Sequence, residues 1–333
     1  MERAIVHSDL TKNKIQPELL LEKYIELLNL DIQKFFTEEL LEKVFCPVSG
    51  EKAVSRSFIK MDMQYNFSKT HGNIYLSPRP SINTLKQFYK DSEARKFWLK
   101  DLWPKTQAAR KDKIILPQLQ WANGFISQYF QKKEILLAEY YPNHWGYSNS
   151  AQEVFQEAKY FLVEPLFDPE ISGIPLNDLC LVENVPQASL DAVFLFEALD
   201  RSTDPNELLT KASNSLKSGG LCFITSLLSS GFEVQLLGEK SEIFVPPERM
   251  NILSFEGMNE LIKNLGHFEV LEFSTPGVFD IPNVVESLNG LDNSSFFEYI
   301  FKKRQDIEIK NSFQDYLQMN RLGTFARLVL RKK

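Results

Sequence analysis

From Glu134 onward the chain alternates short apolar runs with helical stretches, and this alternation constrains the fold more than any other feature. The apolar runs are 135–138 (ILLA), 160–164 (YFLVE), 191–196 (DAVFLF), 221–226 (LCFITS) and 268–273 (FEVLEF). Between them, 151–158, 204–216 and 256–265 carry helical patterns. A strand followed by a helix and another strand crosses over right-handedly to a parallel position. The pattern predicts an α/β fold: a mainly parallel, Rossmann-like sheet with helices on both faces. The terminal run TFARLVLRKK reads as one more strand, placed at an edge.

Three stretches precede this domain, which is drawn from about residue 115 to 333. Residues 1–45 are read as N-terminal helices, with Leu20, Ile25, Leu27, Leu28, Ile32 and Phe35 at helical spacing behind Pro17. Residues 46–80 form a small module of β-like pieces and turns, and 81–114 a helical connector. A net charge of −6 and a pI near 5.5 argue against nucleic acid as the main partner. The basic cluster FKKRQ (301–305) reads as a solvated helix face. Cys46, Cys180 and Cys222 are too few and too scattered for a disulfide framework, which suits a reducing cytoplasm. No signal peptide is legible, and no run approaches the ~20 apolar residues of a spanning helix. The expectation is a cytoplasmic protein without membrane insertion.

In an open parallel sheet, ligands bind beyond the carboxyl ends of the strands, where the strand order reverses. Three strand ends carry suitable chemistry. The first is AEYYPNHWGY (138–147), where a nucleotide-binding fold would place glycines. The second is Glu164, the position of an acid that accepts hydrogen bonds from a ribose, or simply a solvated strand-end acid. The third is FEALDRSTDP (196–205), which places Phe196, Glu197, Asp200 and Arg201 at or just past a strand.

The segment FEALDRSTDP…LLTKASNSLKSGG followed by LCFITS resembles class I S-adenosylmethionine-dependent methyltransferases. SGFEVQLLGEKSEIFVPPERMNILSFEGMNELIKNLGHFEVLEFSTPG, and YLSPRPSINTLKQFYKDSEARKFW upstream, resemble a bacterial subgroup encoded with surface-polysaccharide genes. The resemblance covers about residues 46–333. It implies S-adenosylmethionine as cofactor, with Glu164 at the ribose and Phe196 and Glu197 bordering the cleft. Asp200 is the base candidate, and Arg249 of PPERMN lies at the acceptor pocket.

The departures from that family are equally specific. Its glycine-rich loop would place glycines at Glu139, Tyr141 and Asn143, so side chains stand where the backbone should approach a cofactor. The family's Glu-His pair is Asp200-Arg201 here, and arginine stays protonated. Asp200 is therefore read either as a base or as half of a surface ion pair with Arg201, and Arg201 weighs for the pair. Where relatives have a zinc ribbon, C-x-x-C…C-x-x-C-G, this chain has Cys46, Ser49, Ser68 and His71 before Gly72. Two of four ligands do not hold a structural zinc, so no zinc is expected and the module is read as packed without metal. His71 is read as a turn residue, His144 as an exposed loop residue, and His267 is given no role. Tyr140, Tyr141, Trp145 and Tyr147 either stack on a ligand or plug a vacated cleft, the plug being preferred.

Two functions follow. One is methyl transfer from S-adenosylmethionine to a hydroxyl or amine of a sugar or small metabolite in a glycan pathway. The other is a catalytically degenerate methyltransferase fold that serves as a binding or scaffold subunit with a protein partner.

Overall fold

The computed structural model describes residues 5–131, 134–168, 170, 180–288, 295–304 and 306–333. Helix α1 (Lys12–Ile15) leads into α2 (Glu18–Phe35), which turns Tyr24, Leu28, Ile32 and Phe35 inward at spacings of three and four. The predicted helical stretch of 17–45 stops there. Phe36 leaves helical geometry (ψ 56) and packs on Phe88, and Leu41–Glu42 becomes strand β1. Strands β2 (Val54–Lys60) and β3 (Met63–Ser68) form a hairpin whose two turn residues, Met61 and Asp62, both have positive φ, as a tight two-residue loop requires. β4 (Ile74–Leu76) continues this sheet, while β5 (Arg79–Pro80) pairs with β1.

Helices α3 (Ile82–Asp91) and α4 (Glu93–Phe97) are capped by Ser81 and Ser92. The Ser92 hydroxyl also donates to the buried carboxylate of Asp31, which pins α4 to α2. Single π-turns then join α4 to α5 (Trp103–Arg110) and α5 to α6 (Leu116–Tyr129).

The main sheet begins at β6 (Ile135–Tyr140). After it come α7 (Gly146–Val154), β7 (Ala158–Val163), β8 (Cys180–Val182), β9 (Leu190–Phe196), α8 (Ala198–Arg201) and α9 (Pro205–Ser215). β10 (Leu216–Leu227), α10 (Phe232–Leu237), β11 (Asn251–Ile252), α11 (Phe255–Leu265) and β12 (Phe268–Ser274) follow. The chain ends with α12 (Asp280–Ser287), α13 (Ser295–Glu298), α14 (Ile307–Met319) and β13 (Phe325–Lys332).

The sheet order is β12-β13-β10-β9-β6-β7-β8, with β13 antiparallel to both neighbours and the central pairings parallel. All seven residues of β9 are buried, as expected of a strand covered on both faces. This is the Rossmann-like α/β fold that the alternation predicts. One expectation is corrected: β13 is not an edge strand but lies between β10 and β12, and β12 forms the edge. The inner stretch of β13, Leu328–Leu330, is buried on both faces of the sheet. The short strand β11, which follows β10 in the chain, pairs into the small sheet in the order β11-β4-β3-β2, so the chain crosses from the large sheet to the small one.

Candidate functional site

Strand order reverses between β6 and β9, and the three strand ends at this switch point share an unusual backbone. Tyr141, Glu164 and Glu197, which close β6, β7 and β9, all adopt the left-handed region (φ 51, 48 and 53) although none is glycine. Each costs on the order of 1 kcal/mol. Each is held there by one more rung of the ladder. Tyr141 N–H donates to Val163 O (3.0 Å), Glu164 N–H to Val182 O (3.1 Å) and Glu197 N–H to Thr225 O (2.9 Å). The three residues thus lie side by side, just past the carboxyl ends of the adjacent strands β9, β6 and β7.

The positions where family glycines were expected are filled. Glu139 lies within β6, almost fully buried, and accepts a hydrogen bond from the Tyr160 hydroxyl (2.9 Å). Burial pushes its carboxyl up to about 8. Tyr141 is buried beside Glu164, and burial, with Glu164 adding to it, pushes its hydroxyl up to about 12. Asn143 is tied down from two sides: Arg95 donates to its carbonyl (2.6 Å), and its amide donates to Glu248 (3.3 Å). Gly146, the first glycine of this loop, serves packing instead. A Cβ there would stand 2.7 Å from Ile115 Cδ1 and from the Trp103 ring.

His144 is not an exposed loop residue. Its ring is stacked among Trp103 (4.4 Å between centroids), Tyr147 (5.6 Å) and Trp98 (5.9 Å), while Nδ1 accepts from Gly146 N–H (3.0 Å). Burial, reinforced by Arg110, Arg201 and Arg95, holds the imidazole down to about 3, so it is neutral. Tyr147 stacks on Phe196 at 4.2 Å and donates to Gln118 (2.7 Å). Tyr140 and Trp145 are buried as well, in two different core clusters.

Across the crevice runs a chain of six alternating charges. Arg95 meets Glu248 (3.4 Å), Glu248 meets Arg201 (3.5 Å), Arg201 meets Glu197 (3.6 Å), Glu197 meets Arg249 (2.6 Å) and Arg249 meets Asp200 (3.4 Å). Arg201, 2% exposed, also donates to Phe196 O (3.1 Å) and Tyr141 O (3.5 Å). It thereby bridges the ends of β9 and β6. The expected surface pairing of Asp200 with Arg201 is corrected: both are buried, and they face different partners, as neighbours on a helix do. Asp200 also accepts from the Ser226 hydroxyl and from Leu227 N–H, and burial pushes its carboxyl up to about 7. Burial opposes the ionisation of Glu197, but Arg249 and Arg201 prevail and bring it to about 2. Glu164 stands between Lys86 (3.5 Å) and Lys211 (3.6 Å) with its side chain 20% exposed.

Side chains, not glycines, stand at 139, 141 and 143, and the Arg201 guanidinium lies between the ends of β6 and β9. In the small module two turns are closed by backbone hydrogen bonds, with Gly50 N–H donating to Cys46 O (2.9 Å) and Gly72 N–H to Ser68 O (3.2 Å). The fully buried Asn73 reaches between them and beyond: its N–H donates to Ser68 Oγ (3.1 Å) and its amide donates to Cys46 Sγ (3.6 Å). Its Oδ1 accepts from Ser254 N–H at the start of α11 (2.9 Å). His71 and Ser49 each sit in one of these turns. Among the described residues no three His, Cys, Asp or Glu side chains come together as a metal site.

Sequence reasoning missed Arg95, Glu248 and Asn73. The Glu248-Arg249 pair inside PPERMN was the one available signal: adjacent opposite charges between a proline pair and a buried strand. No protein-family model and no curated protein matches the sequence. Solved structures resemble the chain at low identity. One is the Haemonchus contortus phospholethanolamine N-methyltransferase 2 in complex with S-adenosylhomocysteine (13% identity, 84% of this chain, 71% of that chain, TM-score 0.45). Others are the plantazolicin methyltransferase BpumL with the same ligand (12%, 76% and 97%, 0.43) and the [4+2]-cyclase SpnF (15%, 64% and 80%, 0.39). The fold assignment rests on strand order and register.

Proposed function

We propose that this chain is a methyltransferase fold whose cofactor crevice is closed by its own side chains, and that it works as a binding or scaffold subunit. The observation that supports this reading is the buried Arg201, which bonds the terminal carbonyls on both sides of the switch point and links Glu248 to Glu197. A ligand entering there would have to break a network of desolvated charges, at a cost of several kcal/mol. The sequence resemblance to the polysaccharide-associated subgroup supports a glycan pathway as its setting, with a protein partner in place of a cofactor.

One observation favours the second reading, methyl transfer to a sugar or small-metabolite hydroxyl or amine. Glu164 stands partly exposed at the end of β7, where an acid meets a ribose, and the backbone strain at three strand ends is of a kind that collects at ligand sites. Calorimetric titration with S-adenosylmethionine and S-adenosylhomocysteine, backed by thermal shift, separates the two. The scaffold reading expects no heat and no shift at millimolar ligand. Saturable binding abolished by Glu164→Ala would refute it, since ligand at a hundredfold excess over Kd stabilises the folded state by about 2.7 kcal/mol.

A further inference from the structure

The C-terminal helices carry an apolar surface that the crevice reading does not use. Phe296, Tyr299, Ile307, Tyr316, Met319 and Leu322 are 38–65% exposed, although they come from one short stretch of the chain. Two of these exposed rings are linked through the partly buried Phe297 and Phe313: Phe296 contacts Phe297 (5.5 Å), Phe297 contacts Phe313 (6.2 Å), and Phe313 contacts Tyr316 (6.1 Å). These helices pack on a small separate core around Leu237, Ile281, Val284 and Phe301, outside the main one.

We propose that residues 296–322 rest on an anionic lipid surface. Exposed aromatic rings followed at once by cations are the composition of a segment that lies in the membrane interface. Here SFFEYIF runs directly into Lys302, Lys303 and Arg304, with Lys303 and Arg304 exposed. Arg304 pairs with Asp306 (3.8 Å). The chain as a whole is acidic, and 296–322 carries five Lys/Arg against four Asp/Glu, so attraction to anionic headgroups is confined to the Lys302–Arg304 cluster. A second copy is a poorer occupant. A two-fold contact would set the same basic segment against itself, because such an interface is self-complementary. The segment lies on the surface without spanning it: no helix among the described residues is long and apolar enough to cross a membrane.

The test is co-sedimentation of the full chain with vesicles of phosphatidylcholine alone or with about one-third phosphatidylglycerol. Binding is expected only to the anionic vesicles, and it should fade at high salt. The Phe296→Ser, Tyr299→Ser double variant should abolish it. Lys303→Glu with Arg304→Glu, surface changes that leave the core alone, should weaken it on the order of tenfold. Absence of pelleting, or equal pelleting with neutral vesicles, overturns the proposal. So does a dimer in sedimentation velocity that Phe296→Ser, Tyr299→Ser dissolves, since the occupant is then a second copy.

Discussion

Replacing Arg201 by methionine tests whether the charge chain is what holds the crevice shut. Methionine keeps much of the volume but removes the hydrogen bond to Phe196 O and the ion pairs to Glu248 and Glu197. Glu248, almost buried, then keeps its ion pair with Arg95 and the more distant charge of Arg249 but loses Arg201. Breaking a buried pair from one side costs about 3 kcal/mol. With about 2.1 cal/mol/K of unfolding entropy per residue, that lowers Tm by about 4 °C for a chain of 333 residues. Burial would raise the Glu248 carboxyl, yet Arg95, Arg201 and Arg249 hold it below its ordinary value, and Glu197 is held near 2. Carboxylates depressed in the folded state contribute stability that is complete above their unfolded pKa and is lost as pH falls through the folded one. The gap between wild type and Arg201→Met should therefore be widest near neutral pH and close in acid. Urea denaturation across that range measures it. A variant within about 1 kcal/mol of wild type at neutral pH, or a gap indifferent to pH, would refute the reasoning.

Glu139 runs the other way. Burial raises its folded pKa to about 8, so its stabilisation is complete below the ordinary glutamate value and is lost as pH rises from there to about 8. Glu139→Gln should flatten a decline of up to about 1.4 kcal/mol per pH unit, and an unchanged slope in denaturation experiments would count against this account. Asn73→Ala should cost about 2 kcal/mol by leaving Ser254 N–H without its acceptor, read as a drop in denaturation midpoint with unchanged m. If the small module is packed rather than metallated, neither EDTA nor added zinc should move the melting temperature. A fall of several degrees with EDTA would show that a metal is structural.

The sheet was legible because its signal is local and strong: β6, β7, β9, β10 and β12 all fall on apolar runs a few residues long. β8 escaped notice because Cys180–Val182 is three residues, none of them buried. The position of β13 could not be read, since an apolar strand pattern says nothing of its neighbours. Of the candidate site, the place of Glu164 at the end of β7 was legible, because it closes an apolar run. The charge chain was not, because Arg95 and Glu248 meet only after folding brings α4 against PPERMN. Two adjacent charges such as Asp200 and Arg201 look like a surface pair until the helix that carries them is seen to be buried.

The place of β13 also sets the order in which the sheet can be completed. β12 has one ladder partner, β13, and the outer side of β10 has the same one. During synthesis both wait as open edges while α12 and α14 are made, and the waiting stretch of β10, Gly220–Ser226, is destined for full burial. The last eight-residue strand must then thread between two elements already formed, a non-local closure of the kind that slows folding and exposes sticky edges. Loss of Phe325–Lys332 would accordingly disconnect β12 from the sheet altogether, so a nascent chain stalled short of this strand is the species most in need of a chaperone.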